Sequence, residues 1–530
     1  MTVVGPFSTF KKYITVTLFP FFFHTQIQSK ILCLQKEKGG ILRLIQRKLD
    51  IMTVEVKVEA EAVPVAEEVL KEAKEAVEEV KDEKDNNCES KAVQKSASYR
   101  EESNFPSDLK ENEKKALNEL KAKLEEAILG NALFKKEEKK EGSKKPVYDD
   151  EAKQEKEKDQ AEEECVKEEE CDKESEENVD VEEDKEISIW GVPLLPSKGD
   201  EGTNVVLLKF LRARDFKVND AFQMLEKTLQ WRKEFKIDSI LDEEFGPELN
   251  SAAYMSGVDR EGHPLCYNIF GVLDNEEIYR KTLGDEEKRE QFLRWRVQLM
   301  EKGIQKLKFK PGCVNSLVQI NDLKNSPGAS KKEVRAAVNK AIALLQDNYP
   351  EFVAKNIFIN VPFWYFAFHS LLSPFLTQRT KSKLVFARPS KVTETLLKYV
   401  PIQEIPIQYG GLKRENDIEF SDSDGETSEV VIKTGSTEVI EIPAPEAGST
   451  LIWDLNVLGW EVNCAEEFVP NDENSYTMII QKEKKMGSDE APVRKTFKNS
   501  ESGKIVLTIK NCSGKKKKMF YRYKIKKSSC

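Results

Sequence analysis

Asn348-Tyr349-Pro350-Glu351, then Asn356-Ile357-Phe358-Ile359-Asn360-Val361-Pro362, then Phe363-Trp364-Tyr365-Phe366-Ala367-Phe368-His369-Ser370-Leu371-Leu372-Ser373-Pro374-Phe375-Leu376 is the stretch on which the reading of this chain turns. Residues 356–361 are a short apolar run that stops at a proline, the pattern of a buried strand. Residues 363–376 have helical period but are apolar nearly all round, and such a helix lies in a core or meets lipid. Pro374 ends or kinks it. About 14 residues rise only ~21 Å, against the ~20 apolar residues that a span needs, so no transmembrane helix is expected. Lys383 opens the next expected strand, 383–387, and Tyr409-Gly410-Gly411 closes the stretch. On physics alone, an ordinary core helix between two strands describes 363–376 as well as a lipid-facing one.

Composition bounds the rest. The chain has 530 residues, a net charge of -10 and 34% charged residues. The average hides an acidic front half and a basic C-terminus, and the length suits about two to four domains. Nine cysteines show no metal or disulfide spacing, and His24, His263 and His369 are isolated. That pattern suits a reducing, cytosolic chain with free thiols and no metal. There is no P-loop, H-E-x-x-H or G-x-S-x-G motif, and no cysteine has an arginine in phosphatase spacing. The corresponding enzyme classes are disfavoured.

Residues 1–51 are basic and apolar, and the composition changes abruptly at Met52. Met52 is expected to be the natural start, with 1–51 a gene-model extension. Residues 52–186 are rich in Glu and Lys with few aromatics, and such a chain cannot bury enough apolar surface to offset its ordering entropy. A disordered acidic arm is expected. Short helices are expected within it around 65–81 and at 108–129. The second has Ser107 as N-cap, Leu117, Leu120, Leu124 and Ile128 on one face, and Gly130 as stop. Such a helix is read here as transient and solvated rather than docked. Residues 149–186 carry 21 Asp/Glu against 6 Lys, a net of -15. They are a solvated spacer, or an electrostatic arm that competes with anionic membrane for basic surfaces of the same chain.

Order is expected from Ile189-Trp190-Gly191 onward, with helices at 204–214 and 220–234. Residues 246–413 alternate strand patterns (264–270, 316–322, 356–361, 383–387) with helical ones (285–309, 331–347). The second helix has a capping box of Ser330 with Glu333. Alternating units of this kind predict helices layered on a mixed sheet. Lys413–Glu429 reads as a polar acidic linker in which Ser421 and Ser423 suit an acid-directed kinase. Short alternating runs at 430–433, 438–442, 450–455, 476–481, 504–510 and 518–526 predict a β-sandwich.

The ordered series Tyr-Pro-Glu, a strand ending in Asn-x-Pro-Phe, Pro-Phe-Leu, Thr-x-x-Lys and a late Gly-Gly resembles the C-terminal half of a CRAL-TRIO lipid-exchange domain. In that family the helix here is a mobile gate over a lipid-filled cavity. Phe210-Leu211-Arg212-Ala213-Arg214-Asp215-Phe216, with Trp231-Arg232, resembles the small helical lobe that precedes such domains. Thr450-Leu451-Ile452-Trp453-Asp454 and Gly459-Trp460-Glu461-Val462 resemble the GOLD domain. The implied organisation is an acidic arm (52–186), an N-terminal helical lobe (187–245), an α/β CRAL-TRIO lipid-binding domain (246–413), a linker (414–429) and an all-β GOLD sandwich (430–527). That order resembles the patellins of plants, and the resemblance covers about residues 53–527.

The resemblance implies a phosphoinositide headgroup held by Glu351 and Lys383, with Thr380 and Arg214 nearby. Lys donates to phosphate and Glu accepts from inositol hydroxyls. The family's Arg-Lys pair is here Arg214-Asp215, which weakens that contribution. Its small hydroxyl residues for a choline phospholipid are replaced by Leu317 and Gln319 ahead of Asp322-Leu323, which argues against choline-lipid binding. Phe368, Leu371, Leu372 and Phe375 are the implied gate. In the basic tail, Lys515, Lys516, Lys517, Lys518, Arg522 and Lys524 are candidate membrane contacts. Alternation puts Met519, Tyr521, Tyr523 and Ile525 on one strand face and Phe520, Arg522, Lys524 and Lys526 on the other. Such a cluster attracts an anionic leaflet, or is a solvated edge strand guarded by lysines; overall acidity argues against nucleic acid. The expectation is a non-enzymatic peripheral membrane protein with a bound phospholipid and no cofactor. It would sit in the cytoplasm and at the plasma membrane or cell plate, acting with trafficking proteins in membrane trafficking and cell-plate formation. The alternative is a protein–protein adaptor that uses the GOLD domain and the arm, with lipid as a structural ligand.

Overall fold

The computed structural model describes residues 102–131, 133–134, 187–327, 331–362, 378–420 and 427–527. The expected helix at 65–81, the acidic stretch 149–186, Ser330, the gate residues Phe368, Leu371, Leu372 and Phe375, and Ser421 and Ser423 lie outside these residues.

The helix expected at 108–129 starts later and is docked in a core. Helix α1 runs Glu111–Leu129, with Lys110 as N-cap. Ser107 lies instead in the preceding 3₁₀ turn, Pro106–Asp108. The helix is not solvated. Leu117, Leu120, Leu124 and Ile128 are buried in one core with Leu207, Phe210 and Leu211 of α2 (Glu201–Ala213) and Leu225 and Leu229 of α3 (Val218–Glu234). The apolar stripe was legible, but its partners lie far along the chain, beyond a charged stretch, so composition alone places α1 in the wrong region. A small hairpin, β1 (Ser188–Ile189) and β2 (Val192–Pro193), closes the same core with Ile189 and Val192.

The central domain is built on a five-stranded sheet. In spatial order its strands are β3 (Ala253–Val258), β4 (Pro264–Ile269), β5 (Leu317–Asp322), β6 (Val353–Ile359) and β7 (Leu384–Phe386). β3 and β4 are antiparallel; the rest pair in parallel. Short helices α4 (Pro247–Ala252) and α5 (Glu276–Leu283) flank the β3–β4 hairpin. The crossovers are α6 (Glu286–Ile304) and α7 (Lys332–Asn348), which pack through Phe292, Trp295, Val334 and Val338. The opposite face, with Tyr267, Val318, Ile320 and Ile357, packs on Val392, Leu396, Ile405 and Tyr409. Strands buried on both faces need near-continuous apolar runs, which is why β4, β5 and β6 were readable. β3 was not, because Tyr254, Met255, Ser256 and Gly257 are only half-buried and Gly257 has a positive φ of 77°. α7 starts from Lys331 with no side-chain cap. Lys383 does not open a strand: it is the last residue of α8 (Gln378–Lys383), and β7 begins at Leu384.

The C-terminal domain is two four-stranded antiparallel sheets. Its strands are β8 (Ser428–Ile432), β9 (Thr437–Ala444), β10 (Thr450–Val457), β11 (Val462–Pro470), β12 (Met478–Met486), β13 (Val493–Lys498), β14 (Gly503–Asn511) and β15 (Lys517–Lys526). One sheet has the order β13-β10-β15-β8 and the other β12-β11-β14-β9. Trp453, Trp460, Leu455, Phe468 and Leu507 fill the space between them. β11 and β13 were not expected. β11 alternates correctly, but one inward residue is Glu466, neutralised by Lys495 at 2.8 Å, and that buried pair breaks the apolar pattern of both strands.

β15 is an interior strand, paired with β10 on one side and β8 on the other, not a solvated edge. Met519, Tyr521 and Ile525 do face the sandwich core. The other face does not meet solvent throughout: Phe520 packs on Ile402 and Leu412 of the central domain. The junction is stitched by backbone acceptors. Asn456 Nδ2 donates to the Gly410 carbonyl at 2.7 Å and Arg522 Nη2 to the Leu412 carbonyl at 3.2 Å. The late Gly-Gly is thereby explained. Gly410 has a φ of 79°, and a Cβ on Gly411 would lie 1.9 Å from the Ile405 carbonyl oxygen. The expected linker also begins ordered, since Asp417 pairs with Arg494 at 2.6 Å and Phe420 is buried.

Candidate functional site

Glu351 lies in the turn between α7 and β6 with a φ of 55°, a left-handed conformation that is uncommon for a residue with a side chain. Its Oε2 accepts from Lys383 Nζ at 2.9 Å and pairs with Arg379 Nη2 at 2.9 Å. Arg379 and Lys383 are one turn apart on α8 and so share a face. Behind Glu351 stands α2. Lys209 is buried; its Nζ donates to the Asn315 carbonyl at 2.7 Å and the Glu351 carbonyl at 3.0 Å, over the Phe352 ring at 4.4 Å. Arg212, a turn later and also buried, reaches Ser103 O at 2.6 Å, Asn104 Oδ1 at 2.5 Å and Glu102 Oε2 at 2.8 Å. Arg379 Nη2 lies 3.4 Å from the same Glu102 oxygen. Between Glu102, Arg212, Arg379 and Glu351 a cavity of about 20 Å³ remains. That is room for about one water.

The electrostatics follow. Burial alone would raise the Glu351 carboxyl, but Lys383 and Arg379 beside it hold it below the usual glutamate range. Four cations, Lys209, Arg212, Arg379 and Lys383, face two carboxylates, Glu351 and Glu102. Among the described residues the cleft therefore gathers more cations than carboxylates.

Of the residues singled out in the sequence, Glu351 and Lys383 are brought together. Thr380 is half-buried on α8, next to Arg379 and three residues before Lys383. Arg214 is not part of the cluster: it caps α2 and its Nη1 donates to the neighbouring Ala213 carbonyl. Asp215 and Phe216, both at positive φ, turn the chain away just after it. Lys209, Arg212, Arg379 and Glu102 were missed. Lys209 and Arg212 had a signal: two cations three apart inside Val205-Val206-Leu207-Leu208-Lys209-Phe210-Leu211-Arg212, where solvent cannot receive them.

On β5, Leu317 is buried in a core with Ile304 and Phe352, while Gln319 is half-buried in register with Cys266 and Asn356. On that same β5 face Asn321 Oδ1 accepts from Asn268, and Asn268 Oδ1 accepts from Arg296 Nη1 at 2.9 Å. A guanidinium on this face is unfavourable to a quaternary ammonium.

The basic tail is mostly neutralised. Arg522 is buried, bonded to Asp454 at 2.8 Å and placed 4.1 Å from the Phe420 ring, so its charge is engaged inside the protein. Lys517 pairs with Glu461 and Lys518 with Glu429, and Lys524 is half-buried. Lys515 and Lys516 are exposed and make no ion pair among the described residues. His263 is not isolated, since its ring nitrogen meets Asp259 at 3.1 Å with Glu261 nearby. Asp259 Oδ1 is already used by the backbone N–H groups of Glu261 and His263, so this is a hairpin brace. Among the described residues the cysteines 266, 313, 464 and 512 are free thiols, and no helix is long and apolar enough to cross a membrane.

Comparison with known proteins follows the same boundaries. Residues 116–227 match the CRAL/TRIO N-terminal domain, 250–411 the CRAL/TRIO domain, and 433–518 the Patellin-1-like C-terminal GOLD domain. The first match begins inside α1, in keeping with its place in the lobe core. Phosphatidylinositol transfer protein SFH5 of Candida albicans is 31% identical over 257 residues, 45% of this chain and 77% of that protein. Patellin-5 of Arabidopsis thaliana is 51% identical over 347 residues, 65% of this chain and 51% of that protein. Patellin-4 of the same plant is 55% identical over 545 residues, covering 90% of this chain and 100% of that protein. With helical lobe, α/β domain and GOLD sandwich matched in chain order and a relative covered along its whole length, this chain belongs to the patellin family.

Proposed function

We propose that this protein binds and transfers a phospholipid of the phosphoinositide type, with Glu351 and Lys383 as headgroup ligands. The observation that carries the reading is the Glu351–Lys383–Arg379 cluster: a carboxylate in a rare backbone conformation, pinned by two cations at 2.9 Å in a half-buried cleft. Backbone strain of about 1–3 kcal/mol persists where its surroundings over-determine it, commonly at ligand sites. Lys383 and Arg379 can turn from Glu351 to a phosphate, leaving the carboxylate to accept from ring hydroxyls. The similarity to a phosphatidylinositol transfer protein supports the same ligand class. The apolar stretch 363–376, with Phe368, Leu371, Leu372 and Phe375, is assigned the acyl chains on its sequence. Lys515 and Lys516 are assigned the attraction to anionic membranes. The cellular role is membrane trafficking and cell-plate formation during cytokinesis. No bond of the lipid is broken, so the protein acts as a carrier rather than an enzyme.

The test is the lipid content of purified protein by mass spectrometry, with circular dichroism as folding control. Lys383→Glu sets a second carboxylate beside Glu351, and like charges in a partly desolvated cleft cost several kcal/mol. The variant should fold, since it keeps β7, and lose inositol lipid. Folded Lys383→Glu carrying inositol lipid at the parent level would refute the headgroup assignment.

A further inference from the structure

The cleft is not empty. The segment Glu102-Ser103-Asn104 lies in it, and its Glu102 carboxylate, Ser103 carbonyl and Asn104 amide oxygen are all engaged. Arg212 takes the Glu102 carboxylate, the Ser103 carbonyl and the Asn104 amide oxygen, a set of three acceptors held by one buried guanidinium. Arg379 shares the Glu102 oxygen with Arg212. An oxygen flanked by two guanidinium groups is the environment of a bound phosphate oxygen.

We infer that Lys209, Arg212 and Arg379 form a second phosphate pocket beside the Glu351–Lys383 pair, and that Glu102 fills it as an intramolecular stand-in which a phosphate-bearing ligand must displace. Three observations on this chain support it. With Glu102 in place the cavity is about 20 Å³, room for a water and not for a phosphate group. The pair of cations it contacts converges on a single oxygen, Glu102 Oε2, at 2.8 Å from Arg212 and 3.4 Å from Arg379. Finally, the latch is built to come off. The Glu102 side chain is 45% exposed whereas that of Arg212 is 8% exposed, so the carboxylate can leave to water while the guanidinium cannot, and a departing Glu102 creates a buried cation that a ligand must neutralise. Rested on the headgroup reading, the pocket would take a second phosphate, one esterified to the inositol ring, and would favour a phosphorylated inositol lipid over its unphosphorylated parent. Occupation would release residues 102–104, the segment that leads into Phe105 and the buried core residues Leu109 and Leu117, and so would report loading to the helical lobe.

The full chain serves for the test. Inositol 1,4-bisphosphate and inorganic phosphate are titrated by calorimetry into the parent, Glu102→Gln and Arg379→Gln, and hydrogen exchange is followed in the peptide spanning 102–110. Glu102→Gln should bind inositol 1,4-bisphosphate about fivefold tighter, the scale of removing one half-exposed ion pair. Arg379→Gln should bind it about tenfold weaker. In the parent, saturating ligand should speed exchange in the 102–110 peptide. Tighter binding of inorganic phosphate by Glu102→Gln, with inositol 1,4-bisphosphate no better than phosphate, would support the pocket but assign it to free phosphate. That outcome would count against the headgroup reading alone. Conversely, loss of inositol lipid in Lys383→Glu with no change in Glu102→Gln would keep the headgroup reading and overturn the latch. Unchanged exchange at saturating ligand, or no binding of either probe to any variant, overturns it as well.

Discussion

Two regions of this protein concentrate basic side chains, and they are opposites. In the cleft, Lys209, Arg212, Arg379 and Lys383 outnumber Glu351 and Glu102, and the excess is held partly out of water. In β15, the run that looks most basic in the sequence is matched nearly one for one: Arg522 with Asp454, Lys517 with Glu461, Lys518 with Glu429 and Lys526 with Glu419. A count of lysines and arginines ranks the tail first. The placement of carboxylates reverses the order, because those partners come from β8, β10 and the segments beside them rather than from β15.

The contrast can be broken at its most buried point. Asp454 is fully buried and serves Arg494 and Arg522 together. Asp454→Ala leaves both guanidiniums without it, and removing one partner of a buried pair costs about 3–5 kcal/mol. The urea midpoint of the sandwich should fall accordingly. A shift as small as that of an exposed pair would mean that the tail is as solvated as its sequence suggests.

Acid probes the same network from the other side. Asp417 is held down at about 2 although burial alone would raise it, because Arg494 and the N–H groups of Glu419 and Phe420 donate to it. A carboxylate depressed in the fold stabilises above its ordinary value of 3.8 and loses that contribution as pH falls through the folded value. The stability gap between the parent and Asp417→Asn should therefore be about 2 kcal/mol near neutral pH and close toward pH 2. Glu351 is depressed in the same direction, so acid should also weaken the cleft only below the ordinary glutamate range. A gap that widened on acidification would contradict the assignment.

Membrane binding sharpens the comparison further. Each basic residue near an anionic surface contributes about 1 kcal/mol. Lys515→Ala with Lys516→Ala should weaken sedimentation with phosphatidylserine vesicles by about that much per residue. Lys517→Ala with Lys518→Ala should cost clearly less, since both are engaged with glutamates. Equal losses would mean that the glutamates beside Lys517 and Lys518 do not withhold them from the membrane. The smallest expected effect belongs to the acidic stretch 149–186. Converting its Asp and Glu to Asn and Gln should raise vesicle affinity at low salt and hardly at all at ~0.15 M, where the screening length is ~8 Å. Deleting all of 53–186 would be the wrong experiment, because it removes α1 from the lobe core.

What was legible in the sequence is what local chemistry determines. Apolar runs gave β4 to β7, helical stripes gave α2, α3, α6 and α7, and the ordered motif from Tyr349 to Gly411 gave the α/β domain and the approach of Glu351 to Lys383. What escaped depends on distant neighbours. α1 needed Leu207 and Leu225 to be recognised as core, β11 and β13 needed Glu466 to meet Lys495, and Arg522 needed Asp454. Arg212 outranks Arg214 in the cleft for the same reason: two residues' difference on a helix changes the side that each one serves.

The Gly410–Leu412 turn has a bearing on how this chain can be dissected. Its carbonyls receive Asn456 and Arg522, its Leu412 receives Phe520, and Gly411 tolerates no side chain against Ile405. The seam between the two domains is therefore not where the polar linker begins. A fragment cut at 428 would expose Phe520 and strip two donors of their acceptors, whereas one cut ahead of Pro401 would carry its own dock. For anyone transplanting the GOLD module, residues 401–420 are a shared seam: Ile402 and Leu412 seat Phe520 of the sandwich, while Ile405 and Tyr409 belong to the core of the central domain.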